Sequence, residues 1–142
     1  MRYLFLLFVF LFINPTVVQA SWQEREMSKI DRQIRKSQKC KCISKTIEVG
    51  KSKVSYYFMP NKIRLVRVVE RKVINGATVF KQFFFDKKTG GLVSVIVGTT
   101  IYYYQSSGYF AVLSGSNFTP EEAEKRADNL LNLAQKYIKA LK

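Results

Sequence analysis

The chain has 142 residues, of which 24 are lysine or arginine, 10 are acidic and none is histidine, so its formal charge is +14 at neutral pH. This length suits a single domain with a real hydrophobic core, and the lack of histidine excludes imidazole bases, Ser–His or Cys–His nucleophiles and histidine metal ligands. We therefore expect a non-enzymatic protein that needs no metal ion or cofactor.

The first twenty residues have the pattern of a secretory signal peptide. The second residue is basic, residues 4–13 are apolar, and Ala20 completes a small-residue motif that suits a signal peptidase. Ten apolar residues would span only about 15 Å as a helix, half of a bilayer's hydrocarbon core, so we favour a cleaved leader over an uncleaved anchor. The prediction is a signal peptide over residues 1–20, cleavage between Ala20 and Ser21, and one periplasmic or secreted domain, residues 21–142, without a transmembrane helix.

The positive charge of the mature domain is unevenly distributed. With the basic residue of the leader removed, 23 basic residues face 10 acidic ones, a net charge of +13. Residues 25–88 hold 18 basic and five acidic residues, residues 89–118 hold no charge, and residues 119–142 are nearly balanced. Such a bias steers anionic partners toward the protein. We predict an anionic envelope component (a lipid headgroup or a polyanionic glycan) or an acidic protein, with nucleic acid a weaker candidate. The alternative is that the basic residues only keep an aromatic-rich sheet soluble.

Residues 21–39 have the pattern of an amphipathic helix. Met27, Ile30 and Ile34 recur at helical spacing and form a narrow apolar stripe. The stripe fits a helix lying across a sheet better than one lying on an anionic membrane, for which it is thin. The basic residues on the other face include three anion-binding candidates, namely Lys29, Arg32 and Lys36.

Cys40 and Cys42 are the only cysteines. Thiols tend to pair outside the cytoplasm, and a bridge between residues two positions apart closes a tight ring. The pair is therefore a disulfide or redox candidate, and an intermolecular link or two free thiols remain open alternatives.

Residues 43–113 are rich in β-branched and aromatic residues and are divided by turn signals. Asn75-Gly76 is the strongest hairpin signal, because both residues tolerate positive φ. Gly98 lies inside the longest run and suggests a bulge or a bend. Short connections of this kind predict an antiparallel meander. The predicted strands are 43–49, 54–59, 63–73, 78–85, 92–104 and 109–113.

The third predicted strand carries four further anion-binding candidates, namely Arg64, Arg67, Arg71 and Lys72. Arg67 alternates with apolar residues, so its guanidinium is a candidate for gripping a carboxylate or phosphate from an apolar face. The alternatives are that the strand lies at an edge, where an inward charge blocks aggregation, or that a bulge turns Arg67 outward.

Runs of consecutive aromatic residues occur in several strands, as in residues 83–85 and 102–104. Neighbouring residues of a strand point to opposite faces, so each run places rings in the core and also on a second face that could stack bases or sugars.

Residues 83–95, Phe-Phe-Phe-Asp-Lys-Lys-Thr-Gly-Gly-Leu-Val-Ser-Val, resemble the hairpin that closes PepSY-type domains. The resemblance covers 13 residues, and the helix that leads into the sheet in that family does not stand at the corresponding place. Those domains are small extracytoplasmic modules linked to peptidase inhibition, which is what the resemblance implies here.

The last segment predicts an amphipathic helix that begins with a capping box, with Thr119 as N-cap, Pro120 at N1 and Glu122 at N3. The expected fold is α+β: an N-terminal helix, an antiparallel meander sheet of four to six strands, and this helix packed on one face.

The predicted function is a binding protein with a basic surface. The alternative is a structural subunit, or a peptidase-inhibitor-like module, that docks through residues 89–118 or the stripe around Leu130. Homo-oligomers would form through the C-terminal helix.

Overall fold

The structure is a computed structural model and describes residues 15–60, 64–115 and 117–141, with side chains from residue 22 onward. Most of the predicted leader, residues 1–14, lies outside this part of the chain, and the first helix begins at Pro15. In chain order the elements are α1 (Pro15–Gln38), β1 (Ile43–Val49), β2 (Ser52–Met59), β3 (Arg64–Ile74), β4 (Ala77–Phe85), β5 (Leu92–Val97), β6 (Thr100–Gln105), β7 (Gly108–Leu113) and α2 (Pro120–Ala140).

The strands form one antiparallel sheet in the order β1 to β7, so the predicted meander is confirmed. The predicted strand count was wrong, because the described residues form seven strands and not four to six. The run 92–104 is two strands, in which Val97 pairs with Thr100 around a two-residue turn. Gly98 opens that turn with a φ of +61°, the positive angle that a type II′ hairpin requires. The sequence suggested a bend and not a turn because Gly98 is flanked by valine and threonine, which are strand formers.

Asn75-Gly76 forms the predicted hairpin turn between β3 and β4. Both residues have positive φ, 51° and 81°, as a type I′ turn demands. Because a meander reverses at every turn, the β1–β2, β3–β4 and β5–β6 turns lie at one end of the sheet, called here the hairpin end. The β2–β3, β4–β5 and β6–β7 connections and the C-terminus of α1 lie at the opposite end, called the loop end.

The two helices cover opposite faces of the sheet. On the α1 face, Ile30 and Ile34 pack with Phe84, Val93 and Tyr103, so the expectation that the narrow stripe lies across a sheet is confirmed. On the α2 face, the stripe of α2 is buried against strand residues. Its buried members are Ala123, Ala127, Leu130, Ala134 and Tyr137. Neither described helix contains an apolar stretch of the length that crossing a bilayer requires.

Tyrosine hydroxyls join the sheet to both helices. Tyr104 donates to the carbonyl of Ala127 at 2.7 Å and Tyr56 to the carbonyl of Tyr137 at 2.5 Å, both on α2. Tyr103 donates to the carboxylate of Asp31 on α1 at 2.9 Å. Each bond satisfies a buried phenol, which would otherwise lose its hydrogen bond to water.

Because both faces are covered, the aromatic runs of β4 and β6 are buried on both sides. All six rings of residues 83–85 and 102–104 are at most 4% exposed. These rings form the core, and none of them lies on an open stacking surface for bases or sugars.

Candidate basic site at the loop end

The predicted anion-binding residues do not form one patch. Arg64 lies at the loop end of β3, while Arg71 and Lys72 lie at its hairpin end. Seven residues of strand separate Arg64 from Arg71, about 23 Å. Lys29 and Arg32 are exposed on α1, and Lys29 pairs with Glu26 at 3.0 Å. Lys36 is exposed near the C-terminus of α1, at the loop end.

Lys36 and Lys87 line the same small pocket at the loop end, which has a volume of about 130 Å³. Cys40, Met59 and Phe85 also contribute to its walls. The pocket therefore brings the C-terminus of α1 next to the loop that joins β4 and β5. Together with the neighbouring basic residues of the same segments, these two lysines are called here the basic cluster, which consists of Arg35, Lys36, Lys39, Lys41, Arg64, Lys87 and Lys88.

Arg64 holds the loop that carries two lysines of the basic cluster. Its Nη1 donates to the main-chain carbonyls of Lys87 and Lys88. One guanidinium thus fixes both carbonyls, which leaves the lysine side chains exposed. Arg64 is a half-buried positioning residue, and its charge adds to that of the loop.

The one acid of the β4–β5 loop is occupied by the loop itself. The Oδ1 atom of Asp86 accepts from the main-chain N–H of Lys88 at 2.6 Å and of Thr89 at 3.2 Å. The Thr89 hydroxyl accepts from the N–H of Gly91 at 3.2 Å. These bonds account for the loop's local shape, and residues 32–41 of the facing segment contain no acid. Positive charge therefore dominates the loop end.

The C-terminus of α1 supplies a structural reason for part of this charge. Arg35 and Lys36 lie in the last turn, where the helix dipole favours cations. Lys87 and Lys88 lie on a loop, so the dipole of α1 does not explain why the sequence places them beside that turn.

Arg67 is stacked on an aromatic ring of the neighbouring strand. It lies opposite Tyr57 on β2 and Phe84 on β4, on the α1 face, and its Cζ lies 4.1 Å from the centroid of the Tyr57 ring. Its Nε is buried without a hydrogen-bond partner among the described residues. The edge-strand alternative was wrong, because β3 is the third of seven strands. The sheet has a bulge between Tyr57 and Phe58, but Arg67 stays half-buried beside it.

Cys40 and Cys42 form an intrachain disulfide directly after α1. This selects one of the alternatives left open by the sequence. The bridge closes a loop between Lys39 and the first strand, and Cys40 borders the pocket of the basic cluster. No group of three or more His, Cys, Asp or Glu side chains that could hold a metal ion occurs in the described part of the chain.

A wider cleft of about 800 Å³ opens between the two helices above the strand ends. Its floor and walls are largely apolar and include Leu92, Tyr104 and Ile138. The acids that line it are already engaged, because Glu26 pairs with Lys29 and Asp86 holds its own loop.

Sequence reasoning missed a buried carboxylate on the α2 face. Glu70 is 3% exposed, its Oε1 lies 3.1 Å from the Nζ of Lys81, and its Oε2 accepts from the Tyr137 hydroxyl. The signal was present: a two-residue turn at Asn75-Gly76 places Glu70 directly opposite Lys81. The network joins β3, β4 and α2, and its carboxylate is buried.

Comparisons with protein-family models, curated proteins and solved structures found no match to the chain. The likeness of residues 83–95 to a PepSY-type hairpin therefore remains a short local resemblance. The fold and the geometry of the basic cluster carry the functional argument that follows.

Proposed function

We propose that the protein is a non-enzymatic binding protein of the periplasm or the secreted fraction, and that its basic cluster holds an anionic partner. The observation that supports this most directly is the meeting of Lys36 and Lys87 at one pocket. Two lysines from distant segments are held together although their like charges repel. A polyanion placed between them relieves that repulsion.

The chemistry of the cluster favours phosphate, sulfate or carboxylate groups on a larger molecule. Lysine ammonium groups are mobile point charges that suit repeated anionic groups better than one precisely shaped ligand. The pocket of about 130 Å³ is too small to bury a drug-sized molecule. An envelope lipid headgroup or a polyanionic glycan that lies across the loop end fits these features. An acidic protein is the alternative anionic partner.

The experiment compares two variants that lose the same charge at different places. Lys36→Gln/Lys87→Gln removes two charges from the basic cluster, and Lys125→Gln/Lys136→Gln removes two from the exposed face of α2. Binding of each variant to immobilised heparin and to vesicles containing phosphatidylglycerol is measured beside the wild type. We expect the cluster variant to bind about tenfold or more weakly, since each lysine near an anionic surface contributes about 1 kcal/mol.

The control variant is expected to bind within about threefold of the wild type, because screening limits the reach of charges to about 8–10 Å. Equal losses in both variants would show that net charge, and not the loop end, attracts the partner. Wild-type protein that binds neither probe would contradict the proposal for both classes of anion.

A second candidate function is that of an interaction subunit, and the open edge of the sheet favours it. β7 is an edge strand without any charged residue, and Leu113 at its end is 49% exposed. Natural edge strands usually carry charges that prevent further pairing. The α2 stripe around Leu130, by contrast, is already buried against the sheet. Lysine substitution of Leu113 should release a copurifying protein if β7 is the docking strand, and should change nothing if it is not.

A further inference from the structure

The hairpin formed by β3 and β4 extends beyond the rest of the sheet. β2 stops pairing with β3 at Ser52 and Lys72, and β5 stops pairing with β4 at Val97 and Lys81. Residues 73–80 therefore pair only within this hairpin, and Val79 and Phe80 lie opposite Lys72 and Arg71 at its base. This segment is called here the hairpin tip.

The hairpin tip is apolar and exposed. Five large apolar side chains are largely exposed in the described part of the chain, and three of them lie here: Val73 at 61%, Ile74 at 45% and Phe80 at 51%. Neighbouring residues of a strand point to opposite faces, so Val73 and Ile74 expose apolar surface on both sides of the hairpin. Residues 73–78 are all exposed, so no described element covers either side of the hairpin at this point.

Basic residues surround the base of the tip. The eight residues 73–80 carry no charge, and they are bounded by Arg71 and Lys72 on one strand and by Lys81 on the other. Lys53 lies directly opposite Arg71 on the neighbouring strand. Like charges in that position destabilise a sheet, and the acid in that row is Glu48, which lies opposite Lys53 on β1.

We propose that the hairpin tip inserts into the interface of an anionic lipid bilayer. Val73 and Ile74 enter the boundary between headgroups and acyl chains, and the Phe80 ring, opposite Arg71, lies on the headgroup side of that boundary. Arg71 and Lys72 contact the anionic headgroups, whereas Lys81 is engaged by Glu70. The tip reaches about three residues, or about 10 Å, beyond Lys72. That length matches the depth of about 5–10 Å at which interfacial segments lie.

The backbone sets the same limit on depth. The outer edges of the tip carry N–H and C=O groups that have no neighbouring strand, and such edges do not enter the hydrocarbon region. A shallow contact leaves them among hydrated headgroups. A second copy of the chain is a poorer occupant, because stable protein interfaces use about 20–30 residues on each side and the tip has eight.

The membrane contact and the proposed anion site lie at different ends of the sheet, because the tip is at the hairpin end and the basic cluster at the loop end. The two can therefore be tested separately. Ile74→Thr/Phe80→Thr replaces two exposed apolar side chains with a residue that also favours strands, so the fold is expected to persist. The comparison variant is Lys36→Gln/Lys87→Gln, which leaves the tip intact.

Flotation with vesicles of phosphatidylcholine, with and without phosphatidylglycerol, measures binding. We expect the tip variant to bind anionic vesicles at least about tenfold more weakly than the wild type, because two large side chains no longer leave water. Weak binding to purely zwitterionic vesicles is expected for both proteins. Unchanged binding of the tip variant to anionic vesicles would overturn the insertion, even if the cluster variant loses binding.

A fluorescent reporter distinguishes insertion from surface adsorption. The chain has one tryptophan, Trp22, so Trp22→Phe/Phe80→Trp moves the only indole to the tip. Its emission is expected to shift to the blue on anionic vesicles and to be quenched by lipids brominated in their acyl chains, whereas Trp22→Phe/Asn129→Trp on the exposed face of α2 shows neither effect. Wild-type dimers that the tip variant converts to monomers in light scattering would instead identify the tip as a self-association surface and contradict the proposal.

Discussion

Substitution of Lys81 by methionine tests the buried network of the α2 face. Glu70 is 3% exposed, and its partners are the Lys81 amine at 3.1 Å and the Tyr137 hydroxyl. Removing one partner of a buried ion pair leaves an uncompensated charge, which costs about 3–5 kcal/mol. The Lys81 side chain is 26% exposed, so water can partly replace its amine, and we expect a loss of about 2–3 kcal/mol.

Urea unfolding followed by circular dichroism measures this change in the free energy of unfolding. Lys53→Met is the matched control, because Lys53 is an exposed strand lysine opposite the exposed Glu48, and it should change stability by less than about 1 kcal/mol. Adding Glu70→Gln to Lys81→Met removes the stranded charge and should recover at least about 1 kcal/mol. If Lys81→Met and Lys53→Met are equally stable, the Glu70 carboxylate is not held as an ion pair and the reasoning fails.

Three further outcomes follow from named contacts. Tyr104→Phe and Tyr56→Phe each remove one hydroxyl that bonds to an α2 carbonyl and should lower the free energy of unfolding by about 1 kcal/mol in urea titrations; no loss in either variant would mean that these bonds do not fasten α2. The main-chain N–H of Thr119 donates to the Glu122 carboxylate and holds the pKa of Glu122 below its usual 4.5. The ionised carboxylate therefore stabilises the protein above pH 4.5, and this stabilisation is lost as the pH falls through the pKa of the folded state. Glu122→Ala should therefore destabilise the protein at neutral pH more than in acid, and a loss independent of pH would contradict the capping box. Burial, and then the bond to Asp31, raise the pKa of Tyr103 above its usual 10, and burial does the same for Tyr104. Stability should thus fall as the pH rises above about 10, and part of the tyrosinate absorbance should appear only together with unfolding; absorbance that is complete before the protein unfolds would contradict the burial of these two hydroxyls.

Local chemistry in the sequence was sufficient for much of the fold. The capping box of Thr119 and Glu122 is present in the structure, and Asn75-Gly76 determines the register of β3 and β4. The same register pairs Glu70 with Lys81, so the buried ion pair could have been predicted by counting outward from the turn. Gly98 was ambiguous because its partner in the two-residue turn, Thr99, is a strand former and not a typical turn residue.

The candidate site was harder to predict because it depends on contacts between distant segments. Helical and strand periodicity indicate which face of an element a residue occupies, but not which loop lies beside the end of a helix. Lys36 and Lys87 meet because α1 crosses the sheet toward the β4–β5 loop. The stacking of Arg67 on Tyr57 likewise follows from the pairing of β2 with β3, which the spacing of basic residues along one strand does not reveal.

The dependence of heparin affinity on salt concentration tests the basic cluster most directly. Each lysine that contacts a polyanion releases counterions, so the logarithm of the affinity falls linearly with the logarithm of the salt concentration, with a slope of about 0.9 per contact. We expect Lys36→Gln/Lys87→Gln to reduce that slope by about 2, and Lys125→Gln/Lys136→Gln to leave it unchanged. Binding that does not respond to salt, or equal slopes for the two variants, would contradict a polyanion site at the loop end.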